Sequence, residues 1–184
     1  MVLANNDKLN EKLRKLRNLG FIPQRRFYHE ELGYNFRMTN IQAAIGLAQL
    51  ERIEEHISMK RKIGKAYTEL LEDIPYLQLP VEKEWAKNIY WMYGIVLDEK
   101  RRINAEGFGK KLLKNGIQTR PFFLGMHEQP VFQKMGLFVD EHYPVAEKIA
   151  KQGLYLPSGL TLKEEEIKKI TKTIEKIFEN QVGE

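Results

Sequence analysis

One long amphipathic segment restricts the fold of this chain more than anything else in it. Thr39, followed three residues later by Gln42, forms a reciprocal cap that starts a helix. From there apolar residues recur at helical spacing: Ile41, Ala44, Ile45, Ala48, Ile53, Ile57, Tyr67, Leu70 and Leu71. Pro75 ends the pattern. The spacing predicts one nearly continuous helix over residues 39–73, and about 33 residues at 1.5 Å each span roughly 50 Å. A small domain has no use for a rod of that length, so the segment is expected to bridge two bodies.

The flanks read differently. Upstream, Val2-Leu3-Ala4 has the composition of a strand tail whose sheet lies before it. Asn6 caps a helix with Leu9, Leu13 and Leu16 on one face and Gly20 beyond its end. Residues 21–38, with Pro23, Arg25 and Arg26, are expected to form a loop. Downstream the elements alternate. Leu77–Leu79, Ile89–Leu97, Ile117–Arg120 and Leu154–Leu156 have strand composition, and Ile89–Leu97 (IYWMYGIVL) is the strongest of them. Asn104 caps a helix that carries Phe108 and Leu112 and ends at Gly116. Residues 127–135 suggest a short helix. Pro144 opens another, with Val145, Ile149 and Ala150 inward and Gly153 as terminator. Thr161 and Glu164 read as a second capping box, before a helix with Ile167, Ile170, Ile174 and Phe178 on one face. The expected fold is α+β: a small C-terminal domain with a three- or four-stranded, mostly antiparallel sheet packed with helices, preceded by the bridging helix. Its divisions are 1–38, 39–75 and 76–184.

Composition removes several functions. With 184 residues, 42% hydrophobic and 30% charged, the chain is of globular type. It has no run of about 18 apolar residues, so no membrane helix is expected. The first ten residues lack the pattern of a secretory signal. The absence of cysteine excludes disulfides and thiolate metal sites and fits a cytoplasmic location. His29, His56, His127 and His142 show no ligand spacing, so no metal site is expected. A net charge of +5 is too dilute to imply nucleic-acid binding, and KRRI (100–103) and RRFYH (25–29) read as solvated loops.

The stretch YHEELGYNFRMTNIQAA, residues 28–44, carries the candidate chemistry. A helix N-terminus offers unpaired N–H groups and positive potential to an anion. Arg37 can fork onto a phosphate or carboxylate, and the Asn35 amide can donate to the same oxygens. The plainer alternative is a structural loop in which Arg37 pairs with Glu30 or Glu31.

GYNFRMTNIQAAIGLAQLERI strongly resembles the signature of the pyridoxal-phosphate (PLP)-dependent nucleotide-sugar aminotransferases of the DegT/StrS type, fold-type I. Three more blocks match in the same order. MVLANND and the Leu/Lys helix after it resemble the end of the family's large domain. RPFFLGMHEQPVF (120–132) resembles its R-P-x-F…M-H-x-x-P element, and YPVAEKIAKQGLYLPSGLTLKEEEI (143–167) resembles its Y-P-x-A-E…L-P-S-G close.

The resemblance implies a homodimer with active sites at the subunit interface, a nucleotide-linked keto-sugar as substrate and glutamate as amino donor. It places the cofactor-phosphate contact on Asn35 and a contact to anionic or polar ligand groups on Arg37, with Gly33 giving backbone freedom. Tyr28, His29 and His127 fall in segments that line the sugar-nucleotide side. Family members run about twice this length, and their Schiff-base lysine, in an S-F-x-x-x-K context, lies in the other half. No S-F-x-x-x-K occurs here. The resemblance therefore implies the C-terminal portion of such an enzyme, with no catalytic residue of its own, inactive alone and holding PLP stably only with the missing half. The alternative is an autonomous, non-catalytic dimerisation or ligand-binding domain derived from one.

Overall fold

The computed structural model describes residues 2–22, 24–101 and 103–179. Pro23, Arg102 and the Arg26 side chain, all named above, lie outside the described residues. The chain divides into two compact units, residues 1–53 and 54–184.

The first unit opens with α1 (Asp7–Arg17), and Asn6 Oδ1 accepts the Leu9 N–H at 2.9 Å to cap it. Val2 and Leu3 are exposed and lie outside any strand. The stretch 21–38, expected to be all loop, contains a hairpin instead. Strand β1 (Phe21–Ile22) pairs antiparallel with β2 (Arg25–His29), with a register irregularity between Phe21 and Ile22. Phe27 takes a positive φ of 67°, and its ring meets Phe21 edge-on at 5.6 Å. A non-glycine residue in that conformation breaks the alternation by which strands are read from sequence.

Next comes α2 (Asn40–Glu51), started by the expected box: Thr39 N–H donates to Gln42 Oε1 at 2.9 Å, and Gln42 N–H to Thr39 Oγ1 at 3.2 Å. The long helical segment runs in two pieces, α2 and then α3 (Ile53–Leu71), with Arg52 between them as the C-cap of α2 at φ −109°, ψ 14°. The boundary between the two compact units falls one residue further on.

The second unit is built on a sheet of β3 (Leu77–Gln78), β4 (Tyr93–Leu97), β5 (Arg120–Pro121) and β6 (Gly153–Leu156), in the order β3-β4-β6-β5 and antiparallel throughout. Its inner face presents Tyr93, Ile95, Leu97, Leu154 and Leu156 to Tyr67 and Leu71 of α3, to Phe108 and Leu112 of α4 (Ala105–Lys114), and to Ile170, Ile174 and Phe178 of the C-terminal helix. Phe108 and Phe178 stack at 4.9 Å. Each such buried apolar side chain contributes about 1.5–3 kcal/mol relative to exposure. Before β6 the chain forms a 3₁₀ turn (Met126–Glu128), α5 (Pro130–Lys134) and α6 (Pro144–Gln152); after it comes α7 (Glu164–Glu179).

Four local expectations are corrected here. The strongest strand begins at Tyr93, not Ile89. Tyr90 sits at φ 48° with its N–H on Asn88 Oδ1 at 2.8 Å, and Arg61 holds the approach by pairing with Glu82 at 2.8 and 3.1 Å. Ile117 is buried, but only Arg120 and Pro121 join the sheet, on an edge where proline's missing donor costs no ladder bond. Val145, expected inward, is 73% exposed, because α6 is buried only in its last turn, at Gln152. Finally, α7 starts at Glu164. The N–H of Lys163, the residue before it, donates to Glu166 Oε2 at 2.8 Å, while Thr161 falls in a preceding turn closed by Leu162 N–H to Gly159 O at 3.1 Å.

Candidate functional site

Residues 33–37 are held against the end of α1 by backbone bonds. Tyr34 N–H donates to Leu16 O at 2.6 Å, Leu19 N–H to Tyr34 O at 2.9 Å, and Phe36 N–H to Arg17 O at 3.0 Å. The approach is close enough to explain Gly33. A Cβ there would stand 2.0 Å from Gly20 N and 2.3 Å from Leu19 C. Gly33 therefore supplies clearance; the backbone freedom expected of it is not what this position uses.

A chain pinned in extended form alternates its side chains. Tyr34 and Phe36 stack at 5.1 Å, 9° from parallel, while Arg37 Nε donates to Asn35 Oδ1 at 3.1 Å. With its carbonyl oxygen engaged, Asn35 keeps an amide NH₂ to donate, and Arg37 keeps its two terminal nitrogens. Both residues are exposed. Two residues on, the cap of α2 takes the N–H groups of Thr39 and Gln42 only. The result is a cationic donor set beside a helix N-terminus, the chemistry that a phosphate or carboxylate requires.

The two carboxylates of the structural alternative bind lysines in this structure. Glu31 binds Lys12 at 3.2 Å and Lys15 at 3.3 Å, and Glu30 binds Lys15 at 3.3 Å. Hydrogen bonds from Lys12 and Lys15 hold the Glu31 carboxyl below the ordinary carboxylate range.

Tyr28 and His29 belong to the same unit, on β2. The Arg25 guanidinium lies 4.2 Å over the Tyr28 ring, a cation–π contact that sequence reading missed because the hairpin was not foreseen. His29 Nδ1 is 2.8 Å from Leu19 O, which can only accept, so Nδ1 carries a hydrogen. His127 lies in the other unit, in the 3₁₀ turn, and its side chain is buried.

In residues 54–184 a concavity of about 520 Å³ is lined in part by Arg120, Tyr155, Ser158, Glu166 and Lys169, which puts the arginine of the R-P-x-F block at a ligand-sized hollow. Among the described residues no group of three or more His, Cys, Asp or Glu could hold a metal ion. No described helix is long and apolar enough to cross a membrane.

Comparison with known proteins agrees with this reading of the blocks. The GDP-perosamine synthase of Vibrio cholerae is 33% identical over 178 residues, covering 97% of this chain and 48% of that protein. The putative pyridoxal phosphate-dependent aminotransferase EpsN of Bacillus subtilis is 27% identical over 179 residues, covering 97% of this chain and 46% of that one. Among solved structures, Helicobacter pylori PseC, an aminotransferase involved in the biosynthesis of pseudoaminic acid, superposes with a TM-score of 0.84 at 25% identity over 96% of this chain and 48% of that one. The chain thus spans about half the length of the relatives it matches. A family profile matches residues 1–175, and the chain belongs to the DegT/DnrJ/EryC1/StrS aminotransferase family.

Proposed function

We propose that these residues are the C-terminal portion of a PLP-dependent aminotransferase that acts on a nucleotide-linked keto-sugar in amino-sugar biosynthesis, with glutamate as amino donor. The observation that carries the proposal is the Asn35–Arg37 pair, a bonded donor set left exposed beside the capped N-terminus of α2 in a chain of this family.

The donor set fits the phosphate end of PLP. The Asn35 amide would hold a phosphate oxygen, and Arg37 would neutralise the phosphate or an anionic group of the ligand, both reaching into the neighbouring subunit's site of a homodimer. Tyr28, His29 and His127 would line the sugar-nucleotide side. When bound, PLP supplies the electron sink for chemistry at the amino-bearing carbon. The residues of this chain bind and orient; the proton-moving lysine belongs to the other half. The chain alone is accordingly inactive and holds PLP weakly, because one phosphate contact leaves the ring unheld. The enzyme works in the cytoplasm on this reading.

The test is a PLP absorbance titration of this chain alone and of the chain reunited with a lysine-bearing half. Binding is expected only in the second. There Arg37→Ala and Asn35→Ala should each weaken cofactor or substrate binding by about 1.5–3 kcal/mol, the value of a charge-assisted contact. Unchanged binding and turnover in both variants would remove the roles given to the pair. Tight stoichiometric binding by this chain alone would overturn the half-enzyme reading. Failure of any lysine-bearing half to restore activity would favour an autonomous, non-catalytic domain.

A further inference from the structure

Two sequence blocks, M-H-x-x-P and Y-P-x-A-E, meet in the second unit through a pair of side chains 20 residues apart. His127 Nε2 lies 3.2 Å from Glu147 Oε1. The same oxygen accepts the Tyr143 N–H at 2.7 Å, which fixes the carboxylate on the first turn of α6. The imidazole is 8% exposed, and the Tyr143 ring meets it edge-on at 4.9 Å. On its far edge the ring lies against Gly125, where a Cβ would come within 2.4 Å of Cε1 and 2.6 Å of Nδ1. Glu128 Oε2 sits 3.9 Å from Nε2, buried and without a hydrogen bond. The backbone of the turn is tied in as well, since Gln133 Nε2 donates to His127 O at 3.1 Å.

An ionised carboxylate only accepts. Both carboxylates near this ring face the same nitrogen, and the Glu147 oxygen already has a backbone donor as its second partner. The nitrogen between them therefore carries a hydrogen, and in the neutral imidazole Nδ1 is left with the lone pair, on the side of the ring that packs against Gly125.

We propose that Glu147 is a positioning residue that orients His127 and holds it as the Nε2–H tautomer, presenting Nδ1 as an acceptor over Gly125. It acts through His127 and does not itself touch ligand. Extended to substrate, this rests on the proposed function: the group met by His127 would be a hydrogen-bond donor such as a sugar hydroxyl. The tautomer itself does not depend on that reading.

The experiment is a long-range proton–nitrogen correlation spectrum of the histidine-labelled chain at alkaline pH, where free imidazole is neutral. Three proteins are compared: the parent, Glu147→Met, which keeps a side chain of similar length on α6, and Lys148→Met, an exposed neighbour on the same helix. The parent and Lys148→Met are expected to show His127 with its hydrogen on Nε2. Glu147→Met is expected to lose that pattern and move to the two-tautomer average of an exposed histidine. A parent His127 protonated at Nδ1 would overturn the proposal, and this reading needs no variant to fold. So would an unchanged His127 pattern in Glu147→Met, or an equal loss in Lys148→Met. Because no ligand is present, failure here leaves the aminotransferase reading standing, and failure of the PLP titration leaves the tautomer standing.

Discussion

Two helices of this chain, α2 and α7, invert the usual relation between apolar content and burial. In α2, Ile41, Ile45, Leu47 and Leu50 point in several directions around the axis and none of its twelve residues is buried. In α7, with charge interleaved throughout, Ile167, Ile170, Thr171, Ile174, Ile177 and Phe178 all go inward. Apolar content therefore does not say which helix stabilises the fold. A helix that is apolar on all sides is suited to being enclosed. A helix with one apolar stripe needs only one partner, and α7 has it in the sheet and α4. Among the described residues the buried apolar core lies within 54–184, while Leu32, Phe36, Met38 and the apolar side chains of α2 stay exposed.

The strongest test of that contrast removes one large side chain from each region. Phe108→Ala should cost about 3–5 kcal/mol by denaturant unfolding, as for other buried aromatic side chains. Leu47→Ala in α2 should cost well under that, within about 0.5 kcal/mol, the range of surface positions. Equal midpoint shifts for the two would erase the distinction.

Gly33→Ala comes next. A methyl group 2.0 Å from a backbone nitrogen cannot be accommodated without movement. The expected loss is about 1–3 kcal/mol, the scale of overpacking, confined to the first unit. Amide exchange should accelerate at Leu19, Tyr34 and Phe36 and stay unchanged at Ile95 and Leu154. Protection kept at all five would show that Gly33 has no steric role.

Thr39→Ala should destabilise α2 by about 1 kcal/mol through loss of the N-cap. The readout is local exchange and helicity in α2, and a parent-like result would remove the reciprocal cap from the account.

The smallest effect is with pH. Lys12 and Lys15 hold the folded Glu31 carboxyl below its ordinary value of 4.5. A depressed folded value means that this contribution is fully present above 4.5 and is lost as pH falls through the folded value. The first unit should therefore loosen as the carboxyl is protonated, and Glu31→Gln should flatten that phase. Both pairs are at least partly open to solvent, so the amplitude should be small and fall further with salt.

What proved legible was local. The caps at Asn6, Thr39 and Asn104 were visible because a cap and its partner lie within three residues, and one side-chain oxygen answers one nearby donor. The apolar faces of α4 and α7 were visible because their period matches the helix. The order of the motif blocks was enough to identify the family, and the match over residues 1–175 agrees.

What the sequence could not show depends on groups far apart in the chain. The start of β4 at Tyr93 is set by Tyr90 at a positive φ and by Arg61 pairing with Glu82, 21 residues away. The hairpin at 21–29 hides behind a phenylalanine at φ 67°. The resemblance implied backbone freedom at Gly33, and only the packed end of α1 reveals it as clearance. Arg37 could be read as an anion contact or as a partner of Glu30 or Glu31, and only the tertiary structure shows that Lys12 and Lys15 reach those carboxylates while Arg37 bonds Asn35. His127 and Glu147 were both in view, in separate blocks, with nothing in their spacing to join them. Sequence by itself determined most of the helices, the caps at Asn6, Thr39 and Asn104, and the ancestry, because propensity and periodicity act over a few residues. Tertiary structure decided register, clearance and pairing, because those energies arise only once distant segments are brought within a few ångströms of one another.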